Sequence, residues 1–557
     1  MKTISVSKTS SKGIVLGKAF VVKKVDLKPS TYQISQDDIE EEINRFDRAL
    51  KKIIDQLENL TVASDIFAGH MMIAQDMMLR ASVIYKINDL KNVELALCES
   101  IVEFSIIIEG KEDEYMRERS ADVKDVGNRL LRILKGLEYN SIADIKEEVI
   151  LIAEDLSPSD TADMDFKYVT GIITELGGVT SHVSIIARNI GLPALVGVHG
   201  LLEQVKNQEV IIMDATEGTI ILDPDEVTLQ RYNDMKIKYL EQQKRLDGLK
   251  ELQGVTLDGK QVGLYANVGN IEEVKQAIQN KAEGIGLLRS EFLYLENTHF
   301  PTEEEQFQAY REAAELCKGE VIIRTLDIGG DKALSYYNFE KEDNPFLGWR
   351  GIRISLDMEE VFKSQLRAIL KASHYGRLKI MFPMIISVEE WVSSKEILQQ
   401  CMKELRNNEI AFNENIEVGI MVETPAAVIN IEEFAKRVDF FSIGTNDLTQ
   451  YLLAVDRGNQ KISKLYNSFH PAVLRSIQKI IEAGHKHNIK VGMCGEFASD
   501  PKAVHLLLGM GLDEFSMSAR EIASVKDVIR NSNYKDAVLL AKKVLSADTI
   551  DQVMKFL

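Results

Sequence analysis

The first chemistry the sequence offers is a histidine at the start of a helix, with two glycines before it. The stretch reads Gly177-Gly178-Val179-Thr180-Ser181-His182-Val183-Ser184 and closes with Gly191-Leu192-Pro193-Ala194-Leu195-Val196-Gly197. The glycines allow positive φ in the loop. Thr180 and Ser181 are good N-caps for a helix that begins at about Val183. His182 then falls in the first turn, where free N–H groups and the positive end of the helix dipole disfavour imidazolium and favour an anion. A neutral, nucleophilic imidazole that carries a phosphoryl group suits that position. The bland alternative is a capping or packing histidine, and the local sequence leaves both open.

A second constellation lies in the C-terminal half, at the ends of strand-like runs. Arg289-Ser290-Glu291-Phe292 follows one run; Arg324 leads into Asp327-Ile328-Gly329-Gly330-Asp331-Lys332; Arg350 lies in the loop beyond. Further along come Glu423-Thr424-Pro425, Gly444-Thr445-Asn446-Asp447, Arg457 and Met493-Cys494-Gly495-Glu496. Arg289, Arg324, Lys332, Arg350 and Arg457 are five cations that could converge on a ligand bearing both phosphate and carboxylate. Glu423 and Asp447, with Asn446 beside the latter, are hard oxygen ligands suited to Mg²⁺. Cys494 is an isolated thiol at the same rim, able to donate a proton.

The elements that would hold these groups are legible as patterns. Eight strand runs alternate with helical segments: Gly263–Asn267, Gly284–Leu288, Val321–Leu326, Lys379–Met384, Glu417–Val422, Phe440–Ile443, Lys490–Met493 and Glu514–Met517. That alternation predicts a (β/α)8 barrel, whose chemistry collects at the C-terminal strand ends. An open doubly wound sheet is the alternative, but no GxGxxG or Walker-type turn follows any strand.

Upstream, residues 13–24 read as a short strand pair, and a helix starts near Ser35. Apolar residues then keep a helical period through Ile43–Leu57, Ile66–Ile87, Val93–Ile108 and Met116–Leu134, a bundle of about four helices. His70 is a possible contact residue within it. Strands resume at Glu148–Ala153, Val169–Thr174, Ala194–Val196, Glu209–Met213 and Thr219–Leu222. The expected organisation is an α/β domain over 1–24 and 144–223, interrupted by an inserted helical domain over 25–143. A charged helical linker over 224–254 and the barrel over 255–557 complete it.

The chain has 557 residues, with 45% hydrophobic and 27% charged side chains, the composition of a multidomain globular protein. A formal net charge of −19 argues against nucleic acid as a main partner. No apolar run approaches the ~20 residues of a membrane span, and the N-terminus lacks the apolar core of a signal peptide. Cys98, Cys317, Cys401 and Cys494 are isolated, which predicts a reducing cytoplasm.

Along essentially its whole length the chain resembles Enzyme I of the bacterial phosphoenolpyruvate-dependent sugar phosphotransferase system. The resemblance rests on ILIAEDLSPSDTA, GGVTSH…GLPALVG, PTEEEQF, IIRTLDIGGDK, NPFLGWRGIRI, IMFPMIISVEE, VETPAA, FFSIGTNDLTQYLLAVDRGN and GMCGE. It implies a phosphohistidine at His182 with Thr161 orienting the imidazole, and substrate-binding arginines at Arg289, Arg324, Arg350 and Arg457. It also implies metal ligands at Glu423 and Asp447 and a proton donor at Cys494. The expected activity is transfer of the phosphoryl group of phosphoenolpyruvate to His182 and then to a histidine of the carrier protein HPr, with Mg²⁺ as cofactor. HPr would dock on the inserted helices, and the barrel would form a homodimer. Val179 stands where the family usually has arginine, Glu175 where it has aspartate, and Ser290 where it has threonine. The segment His70–Asp76 is less acidic than the family's. A pyruvate phosphate dikinase or phosphoenolpyruvate synthase would need an ATP-binding domain for which there is neither room nor a nucleotide loop. A regulatory protein that keeps the fold without turnover is the non-enzyme alternative. The nitrogen-regulatory paralogue carries an extra N-terminal sensor domain, so the sugar system is expected.

Overall fold

The computed structural model describes residues 1–6, 9–22, 29–60, 65–109, 114–136, 142, 145–156, 160–161, 164–178, 181–295, 297–329, 334, 336–459 and 461–557. At 56, 58–60, 65–69, 107–109, 114–122, 125, 182, 185 and 189 it describes the backbone alone. The chain divides into two units, Met1–Gln242 and Gln243–Leu557.

The first unit holds strands β1 (Lys2–Ser5), β2 (Thr9–Ser11), β3 (Ile14–Val22), β4 (Val149–Ala153), β5 (Val169–Thr174), β6 (Ala194–Val196), β7 (Val210–Asp214) and β8 (Thr219–Leu222). They form one mixed sheet in the order β1-β8-β7-β3-β4-β5-β6-β2. All five residues of β4 are buried, as expected of a strand covered on both faces. Its side chains alternate between two cores: Ile150 and Ile152 join one, Val149, Leu151 and Ala153 the other. The strand pair expected over 13–24 is instead one nine-residue strand, β3. Gly17 does not turn the chain; it stays in the ladder opposite Ile211 of β7.

Between β3 and β4 the chain forms helices α1 (Ile39–Leu60), α2 (Asp65–Ala74), α3 (Met77–Asn88), α4 (Val93–Glu109) and α5 (Glu114–Leu134). Among the described residues that is five helices rather than about four. The run Ile66–Ile87, read as one helix, is divided at Asp76, whose carboxylate accepts from the amides of Met78 (2.7 Å) and Leu79 (3.2 Å) and so caps α3. Phe46, Ile53, Val83, Ala96, Leu97, Val126 and Leu130 share the bundle core. His70, read as a possible contact residue, is fully buried. After β5 comes α6 (His182–Ile190), whose Val183 and Ala187, one turn apart, pack into the β4–β5 core. The charged stretch after β8 forms α7 (Glu226–Leu249).

The second unit is a closed barrel of eight strands, every neighbouring pair parallel: β9 (Gly263–Val268), β10 (Ile285–Arg289), β11 (Glu320–Arg324), β12 (Arg377–Phe382), β13 (Val418–Val422), β14 (Phe440–Ile443), β15 (Lys490–Met493) and β16 (Glu514–Met517). This is the expected (β/α)8 barrel. Period two sorts its residues into two cores. Val321, Ile323, Ile380, Phe382, Ile420, Val422, Phe441 and Ile443 pack outward against helices. Leu287, Ile322, Met381, Met421, Phe440 and Cys494 form a separate apolar cluster inside. At the N-terminal end of the strands the lining turns polar: Lys379 pairs with Glu320 at 3.1 Å and Glu417 at 2.8 Å, the Tyr265 hydroxyl donates to Glu320, and Glu514 is buried beside them. Among the described residues no helix is long and apolar enough to cross a membrane.

Candidate active site

One further step of two along the inward-facing rows reaches the C-terminal mouth of the barrel. Beyond Leu287 stands Arg289, beyond Ile322 stands Arg324, and beyond Met421 stands Glu423. They line a cavity of about 410 Å³ with Asp327, Arg350, Asn446, Asp447, Arg457, Tyr466 and Cys494. Of the five cations read from the sequence, four therefore share one cavity. Lys332 lies outside the described residues.

Two of the arginines are buried and held by carboxylates. Arg324 pairs with Glu291 and, at 3.1 Å, with Asp327; Arg350 reaches both oxygens of Asp327 at 3.1 Å. Burial alone would pull both guanidinium pKa values down. Glu291 and Asp327 outweigh it at Arg324, and Asp327 with Asp447 outweighs it at Arg350, so both stay charged. The Tyr451 hydroxyl accepts from Arg350 at 3.2 Å and donates to the Phe346 carbonyl. Arg289 is exposed at the rim, and Arg457, on a loop, is more than a third exposed.

The carboxylates behave differently. Glu423 Oε1 accepts the Met384 amide at 2.7 Å, while its Oε2 is buried without a hydrogen bond. Burial, reinforced by Asp447 and Asp327, pushes the Glu423 carboxyl up to about 8. Asp447 Oδ1 is likewise buried without a hydrogen bond, with the Arg457 guanidinium 3.9 Å away. Two bare carboxylate oxygens on one cavity wall fit a divalent cation of the Mg²⁺ kind, which takes one or two protein carboxylates and keeps waters. Among the described residues no group of three or more His, Cys, Asp or Glu is arranged to hold a metal, so these two are the donor set at hand.

Cys494 is buried in the floor, its thiol facing the Ile443 carbonyl at 3.9 Å. Burial pushes it up to about 11, so it stays a protonated thiol at neutral pH. Its own carbonyl accepts from Asn267 at 2.8 Å. Asn446 fixes the neighbouring turn by accepting the Glu496 amide at 3.3 Å.

The histidine loop belongs to the first unit. Gly177 has φ +90°, a conformation that favours glycine, and the Ser181 amide closes the turn onto the Gly178 carbonyl at 2.9 Å. Ser181 is the N-cap: its hydroxyl accepts the Ser184 amide, and the Ser184 hydroxyl donates back to the Gly178 carbonyl at 2.8 Å. His182 is thus the first residue of α6, one earlier than the expected start at Val183 and still in the first turn. Gly191, at φ +72°, closes the helix. Glu175 caps the Leu202 amide at 2.7 Å. Thr161 is buried in this unit. The His182 side chain, Val179 and Thr180 lie outside the described residues.

Glu291 and Asp327 stand in the strand-end stretches read from the sequence but received no role there, and Tyr451 and Tyr466 were not singled out. The first two had a signal: each carboxylate lies within three positions of a strand-end arginine, Glu291 after Arg289 and Asp327 after Arg324. The tyrosines had none: Tyr451 sits in the apolar-looking run Tyr451-Leu452-Leu453-Ala454-Val455, and Tyr466 in a mixed loop stretch, Ser463-Lys464-Leu465-Tyr466-Asn467-Ser468, with no spacing to mark it.

Comparison with known proteins gives matches along the chain. Three family profiles fit: "PEP-utilising enzyme, PEP-binding domain" over residues 243–534, "PEP-utilising enzyme, mobile domain" over 145–218, and "PEP-utilising enzyme, N-terminal" over 8–119. A protein of Buchnera aphidicola subsp. Schizaphis graminum named phosphoenolpyruvate-protein phosphotransferase is 44% identical over 559 residues, covering 98% of each chain. Proteins of the same name from Haemophilus influenzae (44% identical; 98% of this chain, 97% of the other) and Geobacillus stearothermophilus (43%; 98% and 96%) are similar throughout.

Proposed function

The chain belongs to the phosphoenolpyruvate-protein phosphotransferases, enzymes of phosphoenolpyruvate-dependent phosphoryl transfer, and on that premise we propose how its own residues divide the work. The observation that carries the reading is the cavity at the barrel mouth, where four arginines, two bare carboxylate oxygens and a protonated thiol face one space.

Phosphoenolpyruvate binds there with its phosphate and carboxylate spread over Arg289, Arg324, Arg350 and Arg457, with Lys332 and Asn446 completing the set. Glu423 and Asp447 hold Mg²⁺, which when bound offsets charge on the phosphoryl oxygens. An imidazole nitrogen of His182 forms the new bond to phosphorus while the bond from phosphorus to the enol oxygen breaks. Arginines that stay charged despite burial stabilise the equatorial oxygens of that loose transition state. The departing enolate collapses to a ketone as its methylene carbon takes a proton from the side of Cys494, giving pyruvate. A thiol held near 11 keeps its proton until a strongly basic carbon is presented.

Thr161 orients the His182 ring. The phosphorylated His182 then passes its group to a histidine of HPr, which docks on the inserted helices α1–α5, as the first step of sugar uptake. A single histidine serving two sites requires the α/β domain to swing, with the linker over 224–254 as hinge region. The barrel forms a homodimer. Four unpaired cysteines support residence in a reducing cytoplasm.

The test is to incubate the protein with ³²P-labelled phosphoenolpyruvate and Mg²⁺, with and without HPr. Acid-labile label on His182, chased to HPr with stoichiometric pyruvate, is the expected outcome. Label persisting in His182→Ala would refute the assignment.

A further inference from the structure

Arg457 poses a problem that the two buried arginines do not. Its side chain is 36% exposed, on a loop that leaves the helix Thr445–Leu453 through Ala454 at φ +52°. Its nearest carboxylate in an ion pair, Asp447, stands 3.9 Å away, beyond hydrogen-bond length. An exposed guanidinium on a loop surrenders rotamer freedom when it closes on an anion, and that loss weakens binding unless something fixes it beforehand.

Tyr466 supplies the fixing contact. It lines the same cavity as Arg457 and Asn446. Its hydroxyl donates to the Asn446 carbonyl at 3.1 Å, and the Arg457 charge opposes the rise that burial imposes on the phenol. One oxygen thus ties the loop that carries Arg457 to the turn that carries Asn446 and Asp447. The Arg457 amide, which donates to Gln450 Oε1 at 3.1 Å, anchors the other side of the loop. A tyrosine hydroxyl fixes an arginine elsewhere on the wall too, where Tyr451 bonds both the Arg350 guanidinium and a backbone carbonyl.

We propose that Tyr466 is the positioning residue for Arg457: its hydroxyl ties the loop that carries the guanidinium to the helical turn of Asn446 before substrate arrives, so that Arg457 faces the cavity already in place. The inference rests on the reading of the barrel mouth as the phosphoenolpyruvate site. Tyr466 acts through Arg457 and takes no part in bond making.

A double-mutant cycle on the full-length protein tests it, using Tyr466→Phe, Arg457→Met and the double variant. Phosphoenolpyruvate affinity with Mg²⁺ is measured by calorimetry, and KM and kcat by pyruvate release. The temperature is one at which circular dichroism shows all four proteins folded. Tyr466→Phe should weaken binding and raise KM about 5-fold while changing kcat far less, as expected for loss of one neutral hydrogen bond that fixes the loop. In the Arg457→Met background the same change should have no further effect. Unaltered KM in Tyr466→Phe, or effects that multiply in the double variant, would overturn the proposal, since a merely structural tyrosine would add its loss in either background. If Arg457→Met itself left phosphoenolpyruvate binding intact, it is the placement of the substrate that would fail instead.

Discussion

Arg350 and Asp327 meet in full: one guanidinium nitrogen lies 3.1 Å from each carboxylate oxygen, and neither side chain is more than 5% exposed. The same carboxylate pairs with Arg324, so one aspartate sets the spacing of two arginines on the cavity wall. A lone buried guanidinium would be costly; here the aspartate offsets the desolvation of both, with Glu291 sharing the load at Arg324.

Asp327→Asn keeps the shape and removes the charge. It should lower the melting temperature of the barrel, because taking one partner from a buried pair costs about 3–5 kcal/mol. It should also reduce kcat/KM for phosphoenolpyruvate by about 10- to 100-fold through misplaced arginines. Steady-state kinetics beside a calorimetric melt check both.

Glu423→Gln should separate metal binding from folding. The carboxyl is pushed up by burial and by Asp447 and Asp327, so a neutral amide removes a liability, and the metal-free melting temperature should hold or rise. Mg²⁺ should raise the melting temperature of the natural protein by mass action and leave that of the variant unmoved. A variant that Mg²⁺ still stabilises would dismiss Glu423 as a ligand.

How much of this was legible in the sequence differs from residue to residue. Arg289, Arg324 and Glu423 could be read because a strand in a barrel shows two periods at once: apolar residues alternate inward and outward, and a charge on the inward row can be tolerated only where the row reaches the mouth. The role of Asp327 could not be read, since its tie to Arg350 joins positions 23 apart that only the fold brings together. The break between α2 and α3 was hidden because Gln75-Asp76 interrupts an apolar run without glycine or proline, and a cap is visible only once the carboxylate is seen on the Met78 and Leu79 amides. The strand pair expected over 13–24 erred in the opposite sense, dividing what is one strand with Gly17 inside it. A glycine in a strand can mark a turn, but here the ladder to β7 runs through it.

Asp76→Ala should therefore act on the bundle alone. Loss of an N-cap costs about 1 kcal/mol of helix stability. Because the cap is exposed and the bundle core shares no residue with the β4–β5 core, protection of α3 amides from hydrogen exchange should fall while that of β4 holds. Unchanged exchange in α3 would mean that α2 and α3 do not depend on the cap for their separation.

Glu514 sets a pH dependence at the opposite end of the barrel from the arginine-lined mouth. Burial first, then the negative charges of Glu320 and Asp513, push its carboxyl up to about 7 from 4.5, with Lys379 and Lys490 opposing. A folded pKa above the unfolded one means the native state binds more protons between those values, so the slope of stability with pH is negative there. The contribution is fully present below about 4.5 and is lost as pH rises through about 7, a swing of roughly 3 kcal/mol at most. Glu514→Gln mimics the protonated form, fits the same space, and should flatten that slope. Melts of the two proteins should converge near pH 4.5 and diverge toward pH 8, with the variant the more stable at the upper end. Parallel curves across that range would show that Glu514 remains ionised in the folded barrel and that Lys379 and Lys490 outweigh its burial.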